Sequence, residues 1–505
     1  MKNKKLIFVL IFAAAVLLLA SCSRKETKQV TVSFRANPEL LGTIKGSPTQ
    51  TLKAGEPTDW VMAVPRDGFS FISWSDGSTE DRREGEIFTE DTELTAYFEL
   101  TPYELPVLEI TMPNGDEVIS KTEYNDITLS ITNTDDEYCI ENVPGFLRGR
   151  GNATWKLMEK KSYKLKLEKK QNLLGIGEYA DKDWILLANH CDQTMLRNYL
   201  AFYLARELDG IEYTTDARFV EVVINGKYKG VYLLCEQVEA AKGRVNIEVD
   251  PKELDTGYLI ELDQYADDDE GAVEDVTYFS LKSGDLYTVK SDATPEQVAF
   301  IKEYITQVDK AIRNCKKEEI EKLIDLDSCV DMYILQEFML NIDVGWSSFF
   351  MYKNDGGKLF FGPAWDFDLA AGNDRRLFAG GSEGVYVGDP DNSFNQRNKW
   401  YMILMQEDWF KALVKERWNE VRPYFEEISS VAEQTAKDMK QSVDRNYARW
   451  DIFRQRINQE PDCVMILANY RLHTKHLYKW LDDRYAWFDG WVADDFYIEE
   501  PEEEK

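Results

Sequence analysis

Residues 341–373 read NIDVGWSSFFMYKNDGGKLFFGPAWDFDLAAGN. This stretch predicts the end of a helix, a β-hairpin and a pair of carboxylates, in that order. Apolar residues at helical spacing precede the stretch, and β-branched or aromatic residues then alternate through SSFFMYK and KLFFGPAW. Between these two runs lies NDGG, residues 354–357, whose composition supplies the positive φ angles of a tight turn. The hairpin brings its two ends together, so we expect Asp343 to lie close to Asp366 and Asp368.

These three aspartates predict a metal site. Carboxylates that approach one another raise each other's pKa unless a cation lies among them. Oxygen ligands favour magnesium or calcium over zinc, and magnesium is commonly held by one or two carboxylates together with phosphate oxygens. We therefore expect a divalent cation at Asp366 and Asp368. The alternative interpretation is that Asp343 caps a strand and that WDFD forms an ordinary turn before a loop.

The order of these residues is also that of protein kinases. A kinase has an aspartate that takes the proton from the acceptor hydroxyl, a polar metal ligand five residues later, a hairpin, and an Asp-Phe pair whose carboxylate holds the metal. Asp343, Ser348 and Asp366 stand in that order here. Ser348 replaces the asparagine of kinases, and its hydroxyl can still bind a metal.

The first 22 residues predict a bacterial lipoprotein signal. Basic residues follow Met1, an apolar run begins at Leu6, and small residues precede Cys22. We expect the mature chain to begin at Cys22, to carry a lipid anchor on that residue and to lie in the bacterial cell envelope. Ser23 is not the aspartate associated with inner-membrane retention, which favours the outer membrane. The alternative for this segment is a single membrane-spanning helix.

The composition narrows the classes of function. A formal net charge of −31 repels phosphate backbones and argues against nucleic acid as a partner. The six cysteines other than Cys22 form no CxxC pair, so they indicate neither a metal site nor a disulfide-rich scaffold. Only three histidines are present, which excludes a multi-histidine metal centre. A serine hydrolase built on His190 is disfavoured, because no serine lies in a nucleophile-elbow sequence.

Residues 30–100 predict a small all-β module of short strands and turns. The segment resembles the internalin-type β-repeat of bacterial surface proteins, through GFSFISWSDG at residues 68–77 and TAYF at residues 95–98. This resemblance implies a spacer or adhesion module without chemistry of its own. A second unit follows at residues 103–490, and we expect residues 491–505 to form a disordered acidic tail.

The second unit begins with strands. In SYKLKLE, residues 162–168, apolar side chains alternate with Lys164 and Lys166, so the two lysines share one face of the predicted strand. Residues 183–210 predict a buried strand and a helix, and residues 217–238 predict two more strands. We expect these strands to form one sheet with the lysine strand.

Ordered motifs across this unit resemble the CotH (spore-coat protein H) kinase-like family. The residues that carry the resemblance are RGNATW at 150–155, KKSY at 160–163, DW at 183–184, LLAN at 186–189, Asp192, MLRN at 195–198, FVE at 219–221, NG at 225–226, GVY at 230–232, Glu236, Asn341, Asp343 and WDFD at 365–368. The resemblance implies an α+β fold with an atypical, protein-kinase-like two-lobed domain. It also implies phosphorylation of Ser or Thr in secreted or surface proteins, with ATP as donor and Mg²⁺ or Mn²⁺ as cofactor.

The resemblance assigns roles to particular residues. Asp343 becomes the catalytic base and Asp366 a metal ligand, with Asp368 and Ser348 as further ligands in the same stretch. The candidates for the nucleotide-binding side of the site are Lys166, Lys164, Lys161, Arg150 and Glu236. A strand lysine would offset the charge of the phosphates, with Glu236 or Glu221 as its ion-pair partner, and a guanidinium can bind a phosphate oxygen bidentately.

Two functions remain open on these grounds. The first is a phosphotransferase that acts on secreted or surface proteins. The second is a catalytically inactive adhesion or scaffold lipoprotein that keeps the kinase-like fold. The β-repeat, the predicted lipid anchor and Ser348 favour the second function, as does the scarcity of ATP outside the cytoplasm.

Overall fold

The computed structural model describes residues 28–37, 41–66, 69–100, 103–113, 115, 117–267, 277–391, 394 and 396–495 of the chain. The chain divides into two compact units, residues 1–102 and residues 103–505. The predicted signal and the lipidation site Cys22 lie outside the described residues. The acidic tail was predicted to start at residue 491, but residues 491–495 belong to the last helix, and the rest of the tail is outside the described residues. No helix among the described residues is long and apolar enough to cross a membrane.

The first unit is built of strands. They are β1 (Gln29–Asn37), β2 (Gly42–Gly46), β3 (Thr49–Lys53), β4 (Val61–Pro65), β5 (Phe69–Trp74), β6 (Arg82–Arg83) and β7 (Thr92–Leu100). One sheet has the order β3-β1-β7-β5 and the other has the order β2-β4-β6. Apolar residues at alternate positions, such as Val32 and Phe34 of β1 and Leu94 and Ala96 of β7, pack with Trp74 in a buried core. The prediction of an all-β module is confirmed.

The second unit begins with a closed barrel. Its strands are β8 (Val107–Thr111), β9 (Asn125–Thr132), β10 (Ile140–Arg150), β11 (Ser162–Gln171), β12 (Asp181–Leu187), β13 (Ala217–Ile224) and β14 (Lys227–Glu236). Around the barrel they follow the order β10-β11-β12-β14-β13-β8-β9. Every strand contributes alternate apolar side chains to one buried cluster, including Leu165 and Leu167 of β11. Lys164 and Lys166 therefore lie on the outer face of β11, as the alternation predicts.

A second sheet carries the hairpin. It contains β15 (Tyr258–Leu262), β16 (Tyr278–Ser280), β17 (Leu286–Val289), β18 (Phe349–Lys353) and β19 (Leu359–Phe361), in the order β16-β17-β15-β18-β19. The turn between β18 and β19 is closed by a hydrogen bond of 3.0 Å from the Gly357 N–H to the Asn354 carbonyl oxygen. Gly356 has a φ of +58° in this turn. The predicted hairpin and its turn are confirmed.

Eleven helices complete the described part of the unit. They are α1 (Ala153–Leu157), α2 (Arg197–Glu207), α3 (Pro295–Arg313), α4 (Lys317–Leu323), α5 (Leu326–Met339), α6 (Trp400–Leu404), α7 (Asp408–Glu426), α8 (Ile428–Asp438), α9 (Lys440–Arg449), α10 (Asp462–Met465) and α11 (Tyr470–Asp495). Short 3₁₀ turns occupy Asp136–Tyr138 and Phe378–Gly380. The mixture of helices and strands agrees with the predicted α+β class.

Three strands of the barrel are buried on both faces. In β12 and β14, the residues between the barrel-facing ones, such as Ile185, Leu187, Val231 and Leu233, belong to a second apolar cluster. That cluster also contains residues of α2, α5 and the hairpin. Burial on both faces explains why β12, β13 and β14 have long apolar runs in place of an alternating pattern. The outer faces of these strands therefore pack into the apolar core of the helical part, while their inner faces fill the separate core of the barrel.

Candidate active site

The hairpin brings a hydroxyl and a carboxylate into contact. Helix α5 ends at Met339, and the chain then passes through Asp343 to Ser348 at the start of β18. The Ser348 hydroxyl donates a hydrogen bond of 3.2 Å to Asp366 Oδ2. Ser348 has a φ of +59° and Asp366 a φ of +65°, which are left-handed conformations that non-glycine residues seldom adopt. Such backbone strain is concentrated at functional sites, and here it aims two polar side chains at each other.

The two aspartates of WDFD are electrostatically unfavourable without a cation. Burial raises the pKa of Asp366, although Arg150 and the Ser348 hydrogen bond act in the opposite direction. Burial, followed by the charge of Asp366, raises the pKa of Asp368 to about 8, and Asp343 contributes to that rise. The carboxylates of Asp366 and Asp368 with the Ser348 hydroxyl form an oxygen donor set that fits Mg²⁺ or Mn²⁺. The charge of Asp343 acts on Asp368 and not measurably on Asp366.

The segment between β12 and α2 frames the two aspartates. The Phe367 N–H donates a hydrogen bond of 2.7 Å to Asn198 Oδ1, and the Asn198 amide donates one of 3.0 Å to Asn189 Oδ1. The Cys191 thiol donates to Asp368 Oδ2 over 3.0 Å. These hydrogen bonds fix the backbone of WDFD and the position of one carboxylate oxygen of Asp368.

A buried arginine extends this frame beyond WDFD. Arg197 donates to the Ala370 and Ala371 carbonyl oxygens over 2.9 and 3.1 Å and pairs with Asp192, and both charged side chains are almost wholly buried. Cys191, Arg197 and Asn198 have no role in the prediction from the sequence. One feature of the sequence could have indicated that these residues belong to the site. It is the cluster of polar residues inside an otherwise apolar run, LLANHCDQTMLRN.

Arg150 is the predicted phosphate-binding cation that the fold brings to the carboxylates. It ends β10, its guanidinium lies 5.0 Å from the centre of the Trp365 ring, and its charge lowers the pKa of Asp366. Arg150 is paired with Ser162 across β10 and β11. Lys164 and Lys166 follow Ser162 by two and four residues, which places them about 7 and 13 Å farther along the strand. The register therefore favours Arg150 over either lysine.

Comparison with known proteins agrees with this geometry. The family model described as CotH kinase protein matches residues 147–488, which include the barrel strands from β10 onward, the hairpin and the carboxylates. The chain belongs to the CotH kinase protein family. The predicted resemblance is thus confirmed, and residues 147–488 are called the CotH domain below. The model of the divergent InlB B-repeat domain matches residues 30–102, which confirms the second resemblance.

A curated relative lies in the same family. Inner spore coat protein H of Bacillus subtilis (strain 168) is 25% identical over 219 residues. The match covers 43% of this chain and 56% of that protein. The chain thus spans about half the length of the curated relative that it matches.

The lysines of the CotH domain have other partners than those predicted. Lys161 donates a hydrogen bond of 2.6 Å to the Trp155 carbonyl oxygen, and its ammonium lies 5.6 Å from the centre of the Trp155 ring. Lys164 pairs with Asp183 at 3.1 Å. Lys166 is exposed on β11. The prediction that one of these lysines forms an ion pair with Glu236 or Glu221 is wrong.

The two glutamates are held elsewhere. Glu236 accepts a hydrogen bond of 2.9 Å from the Asp216 N–H. Glu221 is completely buried and pairs with Arg445 of α9. Strand alternation indicates which face a side chain takes, but it does not indicate which distant element covers that face.

Another group of three carboxylates lies at the edge of the barrel. The oxygens of Asp181, Asp183 and Glu239 lie within 4.8 Å of one another. Cations of the chain already compensate this group, because Lys164 pairs with Asp183, Lys170 with Asp181 and Arg244 with Glu239. The chain itself thus supplies the positive charges that balance this compensated cluster.

Burial of Glu236 predicts a measurable dependence of stability on pH. Burial raises the pKa of Glu236 to about 7 from an ordinary value of 4.5. Because the folded state holds the proton more tightly, this contribution is complete below about pH 4.5 and is lost as the pH rises through 7. Compared with Glu236→Gln, the wild-type chain should lose about 2–3 kcal/mol of unfolding free energy between pH 5 and pH 8.

Urea unfolding of both proteins at the two pH values measures this difference. Glutamine keeps a carbonyl oxygen that can accept the Asp216 N–H, so the substitution changes mainly the titration. Glu168→Gln on the exposed face of β11 is the matched control and should show no pH-dependent difference. An equal difference between wild type and Glu236→Gln at both pH values would contradict the assignment.

Proposed function

We propose that this chain is a metal-dependent phosphotransferase with a two-lobed, protein-kinase-like domain. It transfers the γ-phosphoryl group of ATP to a Ser or Thr hydroxyl of a secreted or surface protein. The observation that carries the proposal is the buried pair Asp366 and Asp368 at one end of the hairpin, where the Ser348 hydroxyl contacts Asp366. The charge of Arg150 acts on Asp366, and the charge of Asp343 acts on Asp368. Membership of the CotH kinase protein family supports the same reaction class.

Each residue has a distinct task in this reaction. Asp343 accepts the proton of the acceptor hydroxyl as its oxygen forms a bond to the γ-phosphorus, and the bond from that phosphorus to the β–γ bridging oxygen breaks to release ADP. Asp366, Asp368 and Ser348 would hold Mg²⁺ or Mn²⁺. When bound, this ion supplies positive charge against the phosphate oxygens. Arg150 donates from its guanidinium to a phosphate oxygen.

The proposed setting is the bacterial cell envelope. The curated relative is named as a spore coat protein, which supports an extracellular or surface location for this chain. Acylation of Cys22 would anchor the chain by a lipid, in the outer membrane, with the β-repeat module between the anchor and the CotH domain. ATP is scarce in this compartment, so the donor is either released ATP or another phosphoryl donor, unless the reaction precedes export.

Loss of a metal ligand tests the proposal directly. Asp366→Ala should weaken Mg²⁺-dependent ATP binding at least about tenfold, because it removes one carboxylate of the donor set. At ATP near saturation for the wild type, the stabilisation by MgATP should fall by about 1.4 kcal/mol for each tenfold loss in affinity. Thermal unfolding with and without MgATP or MnATP measures this difference, and incubation with γ-labelled ATP measures transfer.

Asp183→Ala is the matched control, because it removes a carboxylate from the compensated cluster. It should keep the MgATP-dependent stabilisation. The second function, an inactive scaffold, is favoured by the Ser348 hydroxyl, which stands where kinases have asparagine and already contacts Asp366. A wild-type chain that shows neither stabilisation by nucleotide nor transfer with either metal would establish that second function.

A further inference from the structure

Unpaired polar groups lie on the turn that carries Asp343 and on the segment after β15 that is hydrogen-bonded to that turn. The Gln264 side chain is only 8% exposed, and both its amide nitrogen and its carbonyl oxygen lack a hydrogen-bond partner among the described residues. The indole Nε1 of Trp346 is also buried without a partner in that part of the chain. Buried polar groups without partners are uncommon in native proteins, because each pays its full desolvation cost.

Backbone hydrogen bonds connect both residues to the candidate base. The Gln264 N–H donates to the Trp346 carbonyl oxygen over 3.0 Å, and the Trp346 N–H donates to the Asp343 carbonyl oxygen over 2.9 Å. Two residues beyond Trp346 lies Ser348, whose hydroxyl contacts Asp366. Trp346 is thus part of the same short turn as the candidate base, and Gln264 is hydrogen-bonded to that turn.

The chemistry of these groups fits a peptide main chain. A carboxamide offers one acceptor and two donors, so it can pair with the N–H and the carbonyl oxygen of a peptide group, and the indole N–H can donate to a further carbonyl oxygen. Tyr265 follows Gln264, is 49% exposed and contacts the Trp346 ring edge-on at 6.2 Å between ring centres. This aromatic surface offers apolar contact to the side chains of a bound polypeptide.

We propose that Gln264 and Trp346 bind the main chain of the acceptor polypeptide beside the hydroxyl that receives the phosphoryl group. The proposal rests on the proposed phosphotransferase function and names its acceptor-binding element. Main-chain recognition leaves the neighbouring side chains unspecified, so the acceptor class is an extended polypeptide with Ser or Thr at the reacting position. A nucleobase is the other ligand that a carboxamide recognises well, and the experiment separates the two.

The test compares wild type with Gln264→Leu, which removes both polar atoms and keeps a branched side chain that is one carbon shorter. Fluorescence anisotropy with a degenerate pool of labelled peptides that contain one central serine measures peptide binding without nucleotide. We expect the affinity for the pool, and kcat/KM for its phosphorylation, to fall about tenfold, as expected for the loss of a paired hydrogen bond. MgATP affinity and ATP hydrolysis to water should be unchanged.

Two further variants keep the result interpretable. Trp346→Phe retains an aromatic ring and removes the indole N–H. It should also lower the affinity for the peptide pool. Gln307→Leu on the exposed face of α3 is the matched control and should bind as the wild type does. A melting temperature of Gln264→Leu at or above that of the wild type excludes a merely structural role.

The outcomes separate this proposal from the proposed function. Wild-type peptide affinity in Gln264→Leu would overturn the inference, and so would a loss of MgATP affinity with unchanged peptide binding, which would assign the groups to a nucleobase. Failure of the wild type to bind the peptide pool would overturn it as well. Peptide binding that depends on Gln264 without phosphoryl transfer would support the inference and refute the phosphotransferase.

Discussion

Asp343→Asn is expected to lower phosphoryl transfer by about a hundredfold to ten-thousandfold, the range that a positioned general base contributes. An amide of nearly the same size cannot accept the proton of the acceptor hydroxyl. The hairpin and the contact between Ser348 and Asp366 should stay intact, so MgATP should stabilise the variant as it does the wild type. Single-turnover autophosphorylation with γ-labelled ATP measures the rate, and thermal unfolding measures binding.

Asp355→Asn is the matched control for this substitution. Asp355 is an exposed residue of the same hairpin, in the turn between β18 and β19, and its replacement should leave the rate unchanged. A wild-type rate in Asp343→Asn would remove Asp343 from the reaction. Loss of MgATP-dependent stabilisation together with the rate would make Asp343 a metal ligand in place of a base.

Arg445→Met is expected to lower the free energy of unfolding by about 3–5 kcal/mol, the cost of breaking a buried ion pair by removal of one partner. Glu221 of β13 is completely buried, and Arg445 of α9 donates to its carboxylate over 2.7 Å. The Ser442 hydroxyl donates to the same carboxylate over 2.6 Å. Methionine leaves the buried charge with the hydroxyl alone. Urea unfolding at pH 7 measures the difference.

The double variant Glu221→Leu with Arg445→Met should recover most of this loss, since no charge then remains buried. Arg313→Met is the matched control, because Arg313 pairs with Asp309 on the more exposed surface of α3. Such a pair is worth at most about 1 kcal/mol. An equally small effect of Arg445→Met would show that water reaches Glu221.

The hairpin and its carboxylates could be predicted because their signals are local. Alternating apolar residues on either side of NDGG determine two paired strands and their register, and this pairing alone brings Ser348 to Asp366. The end of the preceding helix was predictable for the same reason, because helical spacing stops before Asn341. When two segments that pack together are also adjacent in the sequence, the hydrophobic pattern of the sequence is enough to predict their contact.

The cations of the site could not be ranked in the same way. Lys164 and Lys166 were preferred because they share the face of β11 opposite the apolar residues, and the structure bears out that face. The residues that contact this face of β11 belong to other elements, and some of these are far away in the sequence. Asp183 meets Lys164 through pairing of β11 with β12, and Arg445 meets Glu221 from an element more than two hundred residues away. No periodicity in the sequence carries that information.

The barrel strands that are buried on both faces restrict how the CotH domain could move. If the barrel rotated as a rigid body against the helices, apolar side chains such as Leu187 and Val231 would lose their packing contacts with the helical core. On the proposed function, nucleotide and acceptor would then reach the site through movement of short surface segments near Asp343, and not through a hinge between two rigid halves.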